Sequence, residues 1–249
     1  VTWSLPAAQH RTFNRNALDV VVVQLRFEPV LKIESFVPDF QEAIRARFPR
    51  YEERLVQGLE VLPSGIHLRD GKEFRFLVRG GDATTVILGD QSLAIEYRAH
   101  EDRKVLVADY TLAFGALERT ARIQPTRLGL RYVNVLDRVT IGEALGRSLD
   151  WPDLIDPAFL TVPADLGTLE GTRFAAEWAS PMAEGNMTIR YGLLPGAEDR
   201  LIFRLDVDRS IEGLEPIDPS PARLEQFSDD IFRVFSRASG AALKEWMER

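Results

Sequence analysis

The sequence predicts an α+β fold: twisted antiparallel sheets packed on two long amphipathic helices, with a plan that allows two similar lobes. Three observations carry this. Short runs of alternating polarity are punctuated by Asp-Gly and Gly-Gly, the mark of antiparallel hairpins. Two longer stretches, 102–122 and one opening on Ser220-Pro221, carry apolar residues at helical spacing. Strands come in series with few helices between them, unlike the regular alternation of a βαβ chain.

At 249 residues the chain can bury a substantial core, in one compact domain or in an N-terminal arm (1–17) followed by lobes 18–137 and 138–249. A 45% hydrophobic and 28% charged composition is that of a soluble globular protein. The formal charge of −7 argues against broad nucleic-acid or anionic-membrane binding. The chain has no cysteine, which excludes disulfides, thiolate zinc sites, iron–sulfur clusters and cysteine nucleophiles. The run Val20-Val21-Val22-Val23 is too short to span a bilayer and reads as a buried strand. Residues 1–16 show no signal-peptide core, so a cytoplasmic location is expected.

Each element has its own signature. Residues 1–16 are polar and irregular, an extended arm. In 18–28, Val21, Val23, Leu25 and Phe27 form one face, and the apolar first half on both faces predicts a central strand. Pro38 suits the first turn of a helix that places Phe36, Phe40, Ala43, Ile44 and Phe48 on a stripe, and Pro49 ends it. Strands are predicted over 58–68, 73–78, 84–88 and 92–99, with a turn at Asp70-Gly71. The helix 102–122 buries Leu106, Tyr110, Ala113, Phe114, Leu117 and Ala121. The clean strand 126–136 follows. A Thr140-to-Glu143 capping box then predicts a helix to Leu149. Residues 150–172 read as an irregular connection. Strands over 174–178, 187–194 and 201–207 precede a final helix capped by Ser220-Pro221, with a stripe running from Leu224 through Ile231 and Ala238 to Leu243 and Trp246.

Local catalytic motifs are missing. There is no Gly-x-Ser-x-Gly elbow, no phosphate-binding loop ending in Gly-Lys-Ser/Thr and no Gly-x-Gly-x-x-Gly. His10, His67 and His100 lack partners at ligand spacing and read as surface or edge histidines. Asp206 and Asp208 share one side of a strand, where such a pair can hold Mg²⁺ or serve as an arginine partner.

The collective pattern is sharper. Arg127 and Arg131 share a strand face opposite Leu128, Leu130 and Tyr132. Arg26, Arg98, Arg190 and Arg204 stand likewise opposite apolar neighbours. Such faces are either the wet side of a sheet with cross-strand ion pairs or an arginine-lined groove for phosphate or carboxylate. The candidate ligand-binding residues are therefore Arg26, Arg98, Arg127, Arg131 and Arg204, with Asp206 and Asp208 as candidate metal ligands. The leading expectation is a non-enzymatic binding or assembly module that recognises a protein or an anionic small molecule and needs no cofactor. Two alternatives stand beside it: a Mg²⁺-dependent enzyme acting on a phosphorylated nucleotide or polyphosphate, and a nucleic-acid-interacting protein, which the acidic charge disfavours. No membrane partner is expected, and the oligomeric state is left open.

Residues 125–135, with the core Arg127-Leu128-Gly129-Leu130-Arg131-Tyr132-Val133-Asn134, resemble the most characteristic motif of a sporadically distributed bacterial family. Its members have about the length of this chain and no established function. Asn16-Ala17-Leu18 with 20–27, residues 38–45 followed by Phe48-Pro49, the strand 92–97, and the last helix with Phe235 and Trp246 extend the resemblance over nearly the whole chain. It implies an accessory gene, mobile or defence-associated, and names no chemistry. Family members commonly carry Pro where this chain has Ala17 or Leu18, which bears only on entry to the first strand.

Overall fold

The computed structural model describes residues 8, 11–62, 65–81, 83–98, 102–160, 172–197, 200–213 and 215–249, without the side chains of 57–70. Nine strands form an antiparallel sheet: β1 (Leu18–Phe27), β2 (Arg50–Leu62), β3 (Gly65–Leu77), β4 (Thr84–Leu88), β5 (Ser92–Tyr97), β6 (Pro125–Asp137), β7 (Phe174–Pro181), β8 (Asn186–Pro195) and β9 (Leu201–Glu212). Their order is β2-β3-β4-β5-β1-β6-β9-β8-β7. The helices are α1 (Ile33–Ile44), α2 (Arg103–Thr120), α3 (Arg138–Leu145), α4 (Trp151–Leu154), α5 (Pro221–Ala238) and α6 (Ala241–Glu248), with a 3-10 turn at Pro157–Phe159. The mixed fold with a large antiparallel sheet agrees with the sequence, and β1, apolar on both faces in its first half, takes the middle of the order. No described helix is long and apolar enough to cross a membrane.

The chain falls into two compact units, both discontinuous in sequence. The first unit holds Val1–Val21, Leu130–Ser210 and Glu225–Arg249; the second holds Val22–Gly129 and Ile211–Leu224.

In the second unit, Val23, Leu25 and Phe27 of β1 are buried at alternate positions, as period two requires. Helix α1 corrects the sequence reading. It begins at Ile33, so Pro38 sits inside it and not in its first turn. The stripe Ile33, Val37, Phe40 and Ile44 is fully buried, and its burial outweighs the lost Pro38 N–H bond. The predicted turn at Asp70-Gly71 is also corrected. Gln57↔Asp70 and Val56↔Gly71 are paired positions inside a long ladder that runs from Arg50↔Leu77 to Leu62↔Gly65. Strand pairing absorbs a local turn signal here. Helix α2 follows its prediction: Asp102 accepts from the Lys104 N–H as N-cap, and Leu106, Tyr110, Ala113, Phe114 and Leu117 are buried. Tyr110 donates to the Pro219 carbonyl at 2.7 Å, and burial pushes its phenol well above the ordinary tyrosine range.

In the first unit, α5 lies on the apolar faces of β6 and β9. Tyr132 meets the Ser228 hydroxyl at 3.2 Å, and Arg209 pairs with Asp230 at 3.1 Å. Helix α3 begins earlier than the predicted capping box, because Asp137 is the N-cap and accepts from Val139 and Thr140. It stops at Gly146, whose φ of 74° suits glycine. The predicted single terminal helix is two. Gly240 separates α5 from α6 where the chain presses on α4: a β-carbon there would lie 2.4 Å from the Asp153 carbonyl oxygen. Asp156 N–H to Ala238 and Gly240 N–H to Leu154 close this junction. Of the residues predicted on its last turns, Leu243 is buried and Trp246 half-buried, while Met247 takes the inner position. The arm is tied down over its described part. Arg15 N–H donates to the Met247 carbonyl, and the Phe13 and Phe232 rings stack at 6.2 Å.

Candidate functional site

The site is built on the side of β6, β7, β8 and β9 opposite the α5-facing core. Alternation along β9 sends Phe203, Leu205 and Val207 into the core and turns Arg204, Asp206 and Asp208 the other way. The β8–β9 ladder pairs Arg190 with Asp206 and Gly192 with Arg204. The β7–β8 ladder pairs Glu177 with Arg190 and Ala175 with Gly192. Two rows result. One carries Glu177, Arg190 and Asp206 side by side, extended by Arg131 from β6. The other carries Ala175, Gly192 and Arg204.

The charged row is an ion-pair ladder. Arg131 donates from Nε to Oδ1 of Asp206 at 2.7 Å and from Nη2 to Oδ2 at 2.5 Å, the two-point geometry in which a guanidinium binds a carboxylate best. Asp206 is only 2% exposed, so this carboxylate depends on its partner. The hydrogen bond to Asp206 raises the Arg131 pKa against the opposing effect of burial, helped by the charges of Asp206 and Asp208. Arg190 donates from Nε to Glu177 at 2.5 Å.

Arg204 is held less well. Its nearest carboxylate contact is Nη2 to Asp206 Oδ2 at 3.6 Å, and its Nε is buried without a hydrogen-bond partner. Together Arg131, Arg190, Arg204, Asp206, Tyr191 and Leu194 line a depression of about 400 Å³, whose β7 wall is Ala175, Ala176 and Glu177. Gly192, buried between Ala175 and Arg204 in the ladder, leaves no room for a side chain: a β-carbon there would meet the Phe174 carbonyl oxygen at 2.1 Å. The side chain of Tyr191 is braced by Phe159 and Phe203, at 5.1 and 6.4 Å between centroids, and by a hydrogen bond from Trp178 Nε1 at 3.1 Å.

The predicted site residues separate into groups. Arg131, Arg204, Asp206 and Asp208 come together in the first unit, with Asp208 opposite Thr188 on β8. Arg26, Arg98 and Arg127 belong to the second unit. There the Arg127 guanidinium folds back over Gly129 and donates to Gln24 at 3.2 Å, with Glu212 at 3.9 Å. Arg26 and Arg127 line a separate depression of about 380 Å³ with Thr126 and Glu212. Arg98 pairs with Glu96 at 2.7 Å and lines neither depression.

Asp206 is an arginine partner, both of its oxygens accepting from Arg131. Among the described residues no group of three or more His, Asp and Glu side chains is placed to hold a metal ion. His10 and His100, and the side chain of His67, lie outside the described residues.

Sequence reasoning missed Glu177 and left Arg190 out of the site, because strand alternation does not reveal which strands are neighbours. It also missed Arg209, which alternation places on the core face of β9 beside Val207. Arg209 is buried against the Phe227 ring at 4.7 Å and bonded to Asp230 and to the Asn186 and Ser210 carbonyls, a satisfied structural cation. No protein-family model matches this sequence, and no curated protein matches it.

Proposed function

We propose that the protein is a non-enzymatic binding or assembly module of a bacterial accessory system, and that the depression on β6, β7, β8 and β9 recognises an anionic group, on a small molecule or on a protein partner. The observation that carries this is Arg204. Two guanidiniums meet one buried carboxylate: Arg131 satisfies it at both oxygens, and Arg204 is left with a buried, unpartnered Nε and a single long ion pair. A guanidinium so placed in a concave surface is suited to an incoming carboxylate or phosphate. The bacterial accessory setting rests on the motif resemblance alone.

Against the Mg²⁺-dependent alternative stands the commitment of Asp206 to Arg131; a metal would have to displace a two-point ion pair. The same reading allows two similar lobes, 18–137 and 138–249, each with antiparallel strands and an 18-residue helix, α2 in one and α5 in the other.

The test is a thermal-shift screen of anionic metabolites and nucleotides with and without Mg²⁺, repeated on Arg204→Gln. Binding to the native state raises the melting temperature with saturation. A shift seen in the wild type and lost in Arg204→Gln supports the reading. A hit whose shift is unchanged in Arg204→Gln, or needs Mg²⁺, argues against it. Arg131→Ala is the poorer probe, because it also strands Asp206 in a buried position.

A further inference from the structure

β2 ends the strand order and is bonded on one side to β3. Among the described residues no strand pairs with its other edge, so a row of backbone N–H and C=O groups faces outward along it. Two large apolar side chains stand exposed on this strand, Tyr51 at 41% and Leu55 at 80%. Tyr51 rests against Phe76, with 5.6 Å between ring centroids, so Tyr51, Glu53 and Leu55 lie on the core side of β2. Glu52 and Arg54 lie on the other side. Within the strand Glu52 is held only by exposed contacts to Arg50 at 3.3 Å and Arg54 at 3.5 Å, which are free to exchange.

Two copies of such an edge can pair antiparallel across a two-fold axis normal to the sheet. Residues opposite each other in an antiparallel pair share a face, so the axis must pass through a residue. Centred on Glu53, the pairing sets Glu52 opposite Arg54 of the other copy at two places, and Tyr51 opposite Leu55 at two places. Opposite charges meet on one side of the sheet and apolar groups on the other. Arg50 falls opposite Val56, which its aliphatic stem can cover. Glu53 falls opposite its own copy, but each Glu53 has Lys72 at 3.6 Å and accepts from the Tyr51 hydroxyl at 3.4 Å. The neighbouring registers fit worse. Centred on Glu52, Arg50 meets Arg54 and Tyr51 meets Glu53; centred on Arg54, Arg54 meets itself and Glu53 meets Leu55. Charges on an edge strand usually prevent pairing. Here they reject the wrong registers and admit one.

We infer that β2 is a self-association edge: Arg50–Val56 of two copies pair antiparallel about Glu53 and join their sheets across a two-fold axis. The occupant is a second copy because the edge is complementary to itself, in charge on one side and in apolar contact on the other. The surface is independent of the anion-binding depression, whose residues belong to the other unit. Paired strand edges of this length form a contact smaller than the roughly 1,200 Å² at which standard interfaces begin, so the dimer is weak and concentration-dependent.

The test is sedimentation equilibrium of the whole chain from about 1 μM to about 1 mM, with amide hydrogen exchange of β2 followed at both ends of that range. The wild type is expected to dimerise as concentration rises, with slowed exchange at outward-facing amides between Arg50 and Val56. Glu52→Arg and Arg54→Glu each turn both charge pairs into like-charge pairs and weaken the dimer about tenfold or more. An equimolar mixture of the two variants restores opposite charges at both places and restores the dimer, as does the double variant Glu52→Arg/Arg54→Glu. Leu55→Ser weakens it without a change of charge. If a charge variant fails to fold, the wild-type exchange and Leu55→Ser, at a well-exposed position, carry the same test. A wild type that stays monomeric at about 1 mM overturns the inference. So does a dimer that neither charge variant weakens, or one that both abolish and the mixture does not recover. Arg204→Gln is expected to leave the dimer unchanged, so failure here leaves the anion reading standing.

Discussion

Arg131 and Asp206 face each other across β6 and β9 with two parallel hydrogen bonds, of 2.7 and 2.5 Å, and Asp206 is almost wholly buried while Arg131 stays partly exposed. The asymmetry means that each residue costs something different to remove. Arg131→Ala leaves a buried carboxylate with only the 3.6 Å contact to Arg204, and is expected to destabilise by about 3–5 kcal/mol, the usual penalty for stripping a buried charge of its partner. The double variant Arg131→Ala/Asp206→Ala should recover part of that loss. Urea midpoints of the two single variants and the double one, taken as a cycle, check it.

Two glycines that look alike in sequence are expected to behave differently. At Gly129 a new β-carbon would lie 2.6 Å from Nη1 of Arg127, the far end of a flexible side chain, which can shift at the expense of its bond to Gln24. Gly129→Ala should therefore cost less than about 1 kcal/mol, since the strand gains a residue with less freedom to lose. At Gly192 the obstacle is backbone, the Phe174 carbonyl at 2.1 Å. Gly192→Ala should force β7 from β8 and cost about 3 kcal/mol or more. Thermal melts of the two variants side by side decide the order.

Arg209 is a buried cation whose carboxylate partner lies on α5. Asp230→Ala removes that partner and leaves Arg209 to two carbonyls and the Phe227 face. The expected loss is about 3–5 kcal/mol, well above that of an exposed pair such as Arg45–Glu42, for which about 0–1 kcal/mol is usual. Denaturant unfolding of Asp230→Ala beside Glu42→Ala makes the comparison.

Asp156 supplies a pH test. Its pKa is lowered first by the Ala158 backbone N–H, at 2.9 Å, and then by the Arg237 guanidinium. A carboxyl with a depressed folded pKa contributes stability that is fully present above its unfolded pKa and is lost as pH falls through the folded one. The stability gap between wild type and Asp156→Asn should thus be constant from pH 7 to about 5 and close progressively below about pH 4, where the unfolded carboxyl begins to titrate. Urea midpoints measured across that range would show a gap independent of pH if the Asp156 contacts do not form.

Much of the fold was legible because it depends on local periodicity. The stripe of α2, the alternation of β1 and β9, and the Ser220-Pro221 start of α5 all follow from residues within one or two turns of each other. The same reading placed Arg131, Arg204, Asp206 and Asp208 on the non-core side of their strands. It misplaced the start of α1 and the end of α5 and put a turn inside β3, where a local signal competes with distant partners. Pro38 is carried inside a helix by a buried stripe, Asp70-Gly71 is carried inside a ladder by β2, and Gly240 breaks a continuous apolar pattern because α4 presses against it.

What the sequence determined by itself, then, is which side of each strand a residue takes and which stretches are helical, since both are set by bond geometry and side-chain spacing along the chain. Only the tertiary structure decided which of those residues meet. A period of two says that Arg131, Arg190, Arg204 and Asp206 point away from the core, but it carries no information about strand order or register. Those are set by long-range packing and by backbone approaches such as that at Gly192, and they bring Arg131 onto Asp206, leave Arg204 unsatisfied beside them, and set Arg127 apart over Gly129.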